Sequence, residues 1–404
     1  MIPYGHQWID KEDIKAVTDV LKSDWITQGR KVNEFEYEFA KYVGAKYAVA
    51  VNSGTAALHS ACFAVGINKG DEVITTPITF VASANCIIYQ EGIPVFADID
   101  KDTLNIDPKE IKKKITPKTY AIIPVDFTGR PADLEAIQKI AEENNLIVIE
   151  DACHALGATY KGMKIGSISD MTVFSFHPVK HITTGEGGMV TTNNREYYKR
   201  LKLFRTHGIT KEVNKDVDTV TIILNSIANH FEPWYYEMRE LGYNYRLTDF
   251  QCALGLSQLK KIDKFVKRRR EIAYKYDLEF KNISEIIIPE TDQMYLDVME
   301  GFVKQSESSW HLYVIQLNLE KLKVGRRKIF EALRTEGIGV NVHYIPIHLQ
   351  PYYQKRFDYR KGDFPVAENY YEKAITLPIF PKMTDKDIED IIRAIKKVIG
   401  YYRK

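Results

Sequence analysis

Cysteine is scarce in this chain. Its 404 residues include four, Cys62, Cys86, Cys153 and Cys252, widely separated and without a C-x-x-C pair. That spacing excludes a disulfide scaffold and a clustered zinc or iron–sulfur site. Their neighbours are small or apolar, such as Ala61 and Phe63 beside Cys62, so all four are expected as buried structural thiols in a reducing compartment. A surplus of charge is also missing. Lys and Arg number 56 against 54 Asp and Glu, a net charge of +2. A protein that works by neutralising nucleic-acid phosphates needs many more cations than anions. No run approaches the roughly 18 uninterrupted apolar residues of a membrane helix. The opening Met1–Gln7 lacks the charged-then-apolar pattern of a secretory leader. His343 and His348 are separated by Pro346, so no helix presents them as a metal pair, and no metal is expected. These absences leave a cytoplasmic enzyme with neither nucleic acid nor membrane as partner. Its 45% hydrophobic residues are enough for two ordinary domains.

Between residues 45 and 205 short apolar runs alternate with helical patterns. The runs are Tyr47–Val51, Glu72–Thr75, Pro94–Ala97, Ala121–Val125, Leu146–Glu150, Thr172–Phe176 and Gly188–Thr192. They are short and rich in β-branched residues, as strands covered on both faces are. Leu134, Ile137, Ile140 and Ala141 recur at helical spacing behind a capping Asp133. The alternation predicts a largely parallel sheet with right-handed crossovers. Residues 206–240 break the rhythm: polar Asn214–Val220, apolar Thr221–Ile227, then Trp234, Tyr235 and Tyr236, an excursion of the kind that covers a site. One long helical region, Leu247–Phe280, follows. The remainder reads as a smaller α+β unit: strands at Leu312–Leu317 and Gly339–His343, a helix at Arg327–Thr335 ended by Gly337, and a last helix capped by Thr384.

Ligands of open α/β sheets gather at the carboxyl ends of strands. After the first strand, Asn52-Ser53-Gly54-Thr55 opens a helix whose amides and hydroxyls suit a phosphate, or simply form a capped helix start. After the fifth comes Asp151-Ala152-Cys153-His154. Asp151 there either holds a proton on a heterocyclic nitrogen or serves as a cap or surface charge. His154 is read as a neighbour of the site or a core histidine. After the sixth, Ser175-Phe176-His177-Pro178-Val179-Lys180 leads into Gly185-Glu186-Gly187-Gly188. A lysine desolvated there becomes a Schiff-base nucleophile; otherwise it is a surface lysine. Phe80 offers an aromatic face or a core side chain. A phosphate cradle, an acid for a ring nitrogen and an amine nucleophile on one sheet are the requirements of pyridoxal 5′-phosphate, PLP.

The same segments, with Ile2–Gln7, Ile26–Gly29, Gly242–Leu247 and Leu377–Thr384, resemble the DegT/DnrJ/EryC1/StrS sugar-nucleotide aminotransferases over nearly the whole chain. The resemblance implies the α/β PLP-dependent transferase fold type I. That fold has a large domain with a mostly parallel seven-stranded sheet flanked by helices (residues 1–250, with an N-terminal arm) and a small α+β C-terminal domain (251–404). It also implies PLP, or its amino form PMP, as cofactor. Lys180 is then the catalytic residue that bonds to the cofactor and moves protons. Asp151 pairs with the ring nitrogen, with His154 beside it. Gly54, Thr55 and Ser175 hold the phosphate and Phe80 stacks on the ring. Asn244 reaches the cofactor phosphate of a neighbouring subunit, which implies a homodimer with shared sites. Thr27, Glu186, His343 and Tyr344 lie near the sugar nucleotide.

Four segments, Pro124–Gly129, Phe176–Lys180, Trp234–Met238 and Asn341–Tyr353, are similar to the branch that aminates C4 of UDP-4-keto-6-deoxy-N-acetyl sugars with L-glutamate, in pseudaminic-acid-type biosynthesis. The alternatives are a sugar aminotransferase acting at C4 or C3 of another UDP- or dTDP-keto sugar, and a non-catalytic sensor on the same fold. A related sugar 3-dehydrase carries histidine in place of the lysine and needs an iron–sulfur cluster; Lys180 and the scattered cysteines speak against it. Two positions depart from the family pattern: Arg30 and His181 stand where proline is expected. The stretch 211–233 is longer than usual.

Overall fold

The computed structural model describes residues 1–211, 234–289 and 306–404. The expected covering stretch at 212–233 lies outside them. Seven strands form the central sheet: β1 (Tyr47–Val51), β2 (Glu72–Thr75), β3 (Ile93–Phe96), β4 (Thr119–Ile123), β5 (Ile147–Asp151), β6 (Met171–Ser175) and β7 (Gly188–Thr192). Their spatial order is β1-β7-β6-β5-β4-β2-β3. All seven strands predicted for this sheet are present, four of them displaced by one or two residues. Strands β2 to β6 are parallel, but β7 runs antiparallel to both neighbours, β1 and β6. Residues 176–187 are spent on the Lys180 loop, leaving no crossover helix to restore the direction.

Alternation along the strands gives the sheet two apolar faces. Ala48, Ala50, Ile74, Ile122, Val148, Phe174 and Met189 pack under helices Arg30–Val43, Leu134–Asn144 and Asp249–Leu259. Val49, Val51, Val73, Ala121, Ile149, Val173 and Val190 pack under helices Gly54–Val65 and Ala82–Tyr89. Asp133 caps Leu134–Asn144 as expected. β1 is an edge strand, and its outward backbone groups need partners. Buried Glu36 accepts from Ala50 N (2.9 Å), while Arg205 donates to Ala50 O (2.8 Å) and pairs with Glu36. One buried ion pair thus seals the sheet edge.

The predicted long helix is two, Asp249–Leu259 and Ile262–Phe280. The break lets Lys261 pair with Asp10 and Asp13, and Gln258 donate to Trp8 O (3.0 Å), which docks the N-terminal arm. The second helix contributes Phe265 and Val266 to the large core and Ile272 to Phe280 to a second core, so the change of core falls within it, beyond residue 250. That second core surrounds a three-stranded antiparallel sheet, with Tyr313–Leu317 between Ile286–Ile287 and Ala374–Leu377, and helix Asp385–Tyr402 capped by Thr384. The strand expected at Gly339–His343 does not form. Its backbone is divided between the arm, where Gly339 N donates to Ile2 O (2.7 Å), and a single bridge from Asn341 to Thr376.

Arg205→Met leaves Glu36 buried without its cation. It is expected to cost about 3–5 kcal/mol in urea unfolding, since an orphaned buried charge keeps its full desolvation cost.

Candidate active site

The carboxyl ends of β1, β5 and β6 lie on one edge of the sheet. Strand β7 starts between β1 and β6, with Gly188 opposite both Val51 and Ser175. A Cβ on Gly188 would lie 2.4 Å from Ser53 O, and one on Gly54 would lie 2.9 Å from Ser175 Cβ. The two glycines therefore allow the start of helix Gly54–Val65 to rest against the end of β6. Ser53 caps that helix by accepting from Ala56 N (3.0 Å). The amides of Gly54 and Thr55, the first two of the helix, have no intrahelical acceptor. With the Ser175 hydroxyl beside Gly54, these groups form a cradle suited to an anion.

Asp151 ends β5 and is buried, which removes the surface reading. Ser83 donates to its Oδ2 (2.6 Å) and Cys153 N to its Oδ1 (3.2 Å). Both donors hold the carboxylate in place. Lys180 is half-buried in the loop after β6. Burial pulls its amine below the ordinary lysine pKa, the charges of Cys153 and Asp151 oppose that shift, and Arg269 reinforces it. Lys180 is thus more readily a free amine than a surface lysine is. Phe80 is 57% exposed, so it is not a core residue, and its ring centroid lies 6.2 Å from that of Tyr344.

The small domain brings its own groups to this edge. Tyr344 OH and His154 Nε2 are 3.2 Å apart, and burial raises the tyrosine well above its usual pKa. His343 Nδ1 lies 2.8 Å from Thr376 Oγ1, and burial, with Lys180 nearby, pushes it down to about 3. His154 and His311 are close, ring centroids 4.3 Å apart, with His181 5.6 Å from His311. Burial first, then neighbouring cations including Lys180, holds all three well below the usual imidazole range. Among the described residues no group of three or more His, Cys, Asp or Glu is placed to hold a metal ion.

The sequence model of the DegT/DnrJ/EryC1/StrS aminotransferase family matches residues 7–396. The chain belongs to that family. It is 45% identical over 400 residues to the spore coat polysaccharide biosynthesis protein SpsC of Bacillus subtilis, covering 98% of this chain and 97% of SpsC. It is 38% identical over 409 residues to the UDP-4-amino-4,6-dideoxy-N-acetyl-beta-L-altrosamine transaminase of Campylobacter jejuni, covering 100% and 99%. Its structure is similar to that of Helicobacter pylori PseC, an aminotransferase of pseudaminic acid biosynthesis, with a TM-score of 0.87 and 34% identity, covering 99% of this chain and 100% of PseC. A Streptococcus pneumoniae sugar aminotransferase, Spr1654, has been solved in PMP form (TM-score 0.88, 32% identity, 99% of this chain and 100% of Spr1654) and in PLP form. This DegT-family chain is a sugar aminotransferase of fold type I whose cofactor is PLP.

The residues present fit that cofactor. The cradle is closed by two positions without a Cβ, Asp151 is buried at the end of β5, and burial lowers the pKa of Lys180. Thr27 and Glu186 are exposed: Thr27 bridges to Thr248, and Gln251 Nε2 donates to Glu186 O (2.9 Å). Asn244 is exposed next to the cradle, its carbonyl accepting from Asn52 Nδ2 (3.3 Å). Three residues of the site escaped the sequence reading. Ser83 lies just past Phe80 in the same motif. His311 comes from a distant segment. Cys153, expected as a buried structural thiol, is half-buried beside Asp151 and Lys180; the other three cysteines are buried and all four are free.

His343 gives a pH test. In the unfolded chain it takes up a proton near the ordinary histidine pKa of about 6.5, while in the folded chain it resists until about 3. It therefore costs nothing above that unfolded value and destabilises the fold as pH drops below it. Relative to His343→Gln, the wild type is expected to lose stability by up to about 1.4 kcal/mol per pH unit below about pH 6.5. Paired unfolding curves of the two proteins across that range check this; parallel curves contradict it.

Proposed function

We propose that the enzyme transfers the amino group of L-glutamate to C4 of a UDP-4-keto-6-deoxy-N-acetylhexose, in pseudaminic-acid-type biosynthesis. The observation that carries the aminotransferase chemistry is the juxtaposition of the Gly54–Thr55 cradle, Asp151 and Lys180 on one sheet edge. The full-length likeness to the Campylobacter jejuni transaminase and to PseC supports the sugar. When bound, PLP accepts the amino group and spreads the electrons of the broken C–H bond over its ring. The chain's own residues supply the rest. Gly54, Thr55 and Ser175 hold the phosphate. Asp151, fixed by Ser83 and the Cys153 amide, keeps the proton on the ring nitrogen. Lys180 Nζ, a free amine at low cost, would hold the cofactor covalently and, once the incoming amine had displaced it, would carry the proton between substrate carbon and cofactor. Phe80 covers one ring face, and His154 orients Tyr344 toward the sugar.

In this reading the working unit is a homodimer. Asn244, exposed beside its own cradle, serves the partner's phosphate, and Thr27 and Glu186 line the sugar-nucleotide site with His343. A second reading has its own support. The chain is more identical to SpsC, at 45%, than to the Campylobacter jejuni enzyme, at 38%, which favours a keto sugar destined for a surface polysaccharide.

Lys180→Ala is expected to lower turnover by roughly 10²–10⁴-fold, the usual worth of a positioned acid–base group. Borohydride treatment of the PLP-loaded wild type should leave a pyridoxyl mass on the peptide containing Lys180; its absence there contradicts the assignment. Mass analysis of products from a panel of UDP- and dTDP-4-keto sugars decides the substrate. Turnover of the UDP-4-keto-6-deoxy-N-acetyl sugar with glutamate is the expected result. Exclusive use of a dTDP sugar overturns it.

A further inference from the structure

The loop that carries Lys180 is closed on itself. Thr183 Oγ1 and Thr184 N both donate to Phe176 O (3.0 and 3.1 Å), and Lys180 N donates to His177 O (2.9 Å). These bonds shape the loop but do not tie its apex to the rest of the site. The buried ring of His181 does: its Nε2 lies 3.1 Å from Ser309 O. A carbonyl only accepts, so the imidazole proton sits on Nε2. Burial and the nearby cations Arg269 and Lys180 keep the ring neutral, with that single proton.

Ser309 belongs to a segment whose polar groups are almost fully engaged. Its amide donates to Gly129 O (2.9 Å) and its hydroxyl to His154 O (3.1 Å). Ser308 O accepts from Arg270 Nε (2.9 Å), and Trp310 O and His311 O both accept from the buried Arg269 Nη1 (3.1 Å each). Leu312 N donates to Thr128 O (3.1 Å), and strand Tyr313–Leu317 of the small domain follows directly. Ser309 thus bonds to the loops after β4, β5 and β6 at once, and its bond to the third is made by the residue next to Lys180.

We propose that His181 is a positioning residue for Lys180: its Nε2–H bond to Ser309 fixes where the neighbouring amine points and couples the amine to the small-domain segment Ser308–Leu312. A proline at this position, as the family pattern leads one to expect, has neither a side-chain donor nor a backbone N–H, so the tie is particular to chains with a donor here. A neutral imidazole provides the donor without adding a cation beside the amine. The inference rests on Lys180 being the residue that bonds to PLP.

The test compares full-length wild type, His181→Gln and His181→Phe. Glutamine can place an amide N–H where Nε2–H was; phenylalanine keeps the ring and loses the donor. The readouts are the rate at which the cofactor-free enzyme bonds covalently to added PLP, followed by absorbance, the Kd for PLP, and Tm. His181→Phe is expected to bond about 10- to 100-fold more slowly, the scale of an ångström-level misplacement, while Kd for PLP changes little. His181→Gln should recover most of the rate. Equal rates in all three proteins overturn the inference, as does a loss in His181→Phe that glutamine does not rescue. If His181→Phe does not fold, nitrogen-15 NMR of histidine-labelled wild type decides. A His181 ring protonated on Nδ1 instead of Nε2 refutes the proposed bond; an Nε2–H tautomer that persists across neutral pH supports it. Borohydride mapping of the wild type separates the two levels. A pyridoxyl group on a lysine other than Lys180 defeats the underlying reading, whereas Lys180 labelled with unaffected variants defeats only the role of His181.

Discussion

The approach of two backbones at Gly188 and Ser53 is the constraint on which the active site depends. Strand β7 separates the strand that leads to the cradle from the strand that leads to Lys180. A side chain at the start of β7 would push the helix start outward, because a Cβ there would lie 2.4 Å from Ser53 O. With glycine at both Gly188 and Gly54, anion cradle and amine end up on the same edge, a strand's width apart on either side of β7. The antiparallel direction of β7 follows from the same economy of space: the loop between β6 and β7 is occupied by the lysine and its hydroxyl clasps, so the chain can only turn back.

Desolvation then sets the electrostatics. Four histidines, His154, His181, His311 and His343, surround the lysine, yet all are held neutral by burial and by the cations among them. They supply hydrogen-bonding capacity and ring surface without adding positive charge that would compete with the amine. Asp151 is the complement, a buried carboxylate held by two donors, the Ser83 hydroxyl and the Cys153 amide. A helix start and hydroxyls suit an anion without a basic patch, which agrees with a net charge of only +2.

The large-domain layers and the core of the site were legible in the sequence because both rest on local signals. Short apolar runs mark strands, and Asp151, Lys180 and Gly54 stand directly after them, at the strand ends where an α/β sheet collects ligands. What was not legible came from long-range packing. His181 and Ser309 are 128 positions apart, and nothing in either segment announces the other. Cys153 reads like the other thiols, but packing sets its Sγ 3.5 Å from where a Cβ on Gly54 would lie, about a hundred positions away. The Gly339–His343 strand failed for a related reason: its composition suits a strand, but the N-terminal arm takes the backbone bonds a second strand would need. The break at Lys260–Lys261 likewise answers to Asp10 and Asp13, far off in sequence.

That arm has a consequence for how the molecule is assembled. Ile2 exchanges backbone bonds with Gly337 and Gly339, Tyr4 O accepts from Ile379 N (3.1 Å), and the Tyr4 ring lies 5.3 Å from that of His343. These residues find their partners far along the chain, in the small domain. Closing a loop of that span carries an entropic cost, which the arm's backbone bonds and ion pairs offset. It works as a strap between the two cores: Trp8 and Asp13 hold it to Gln258 and Lys261, while Ile2 and Tyr4 hold it to the small domain.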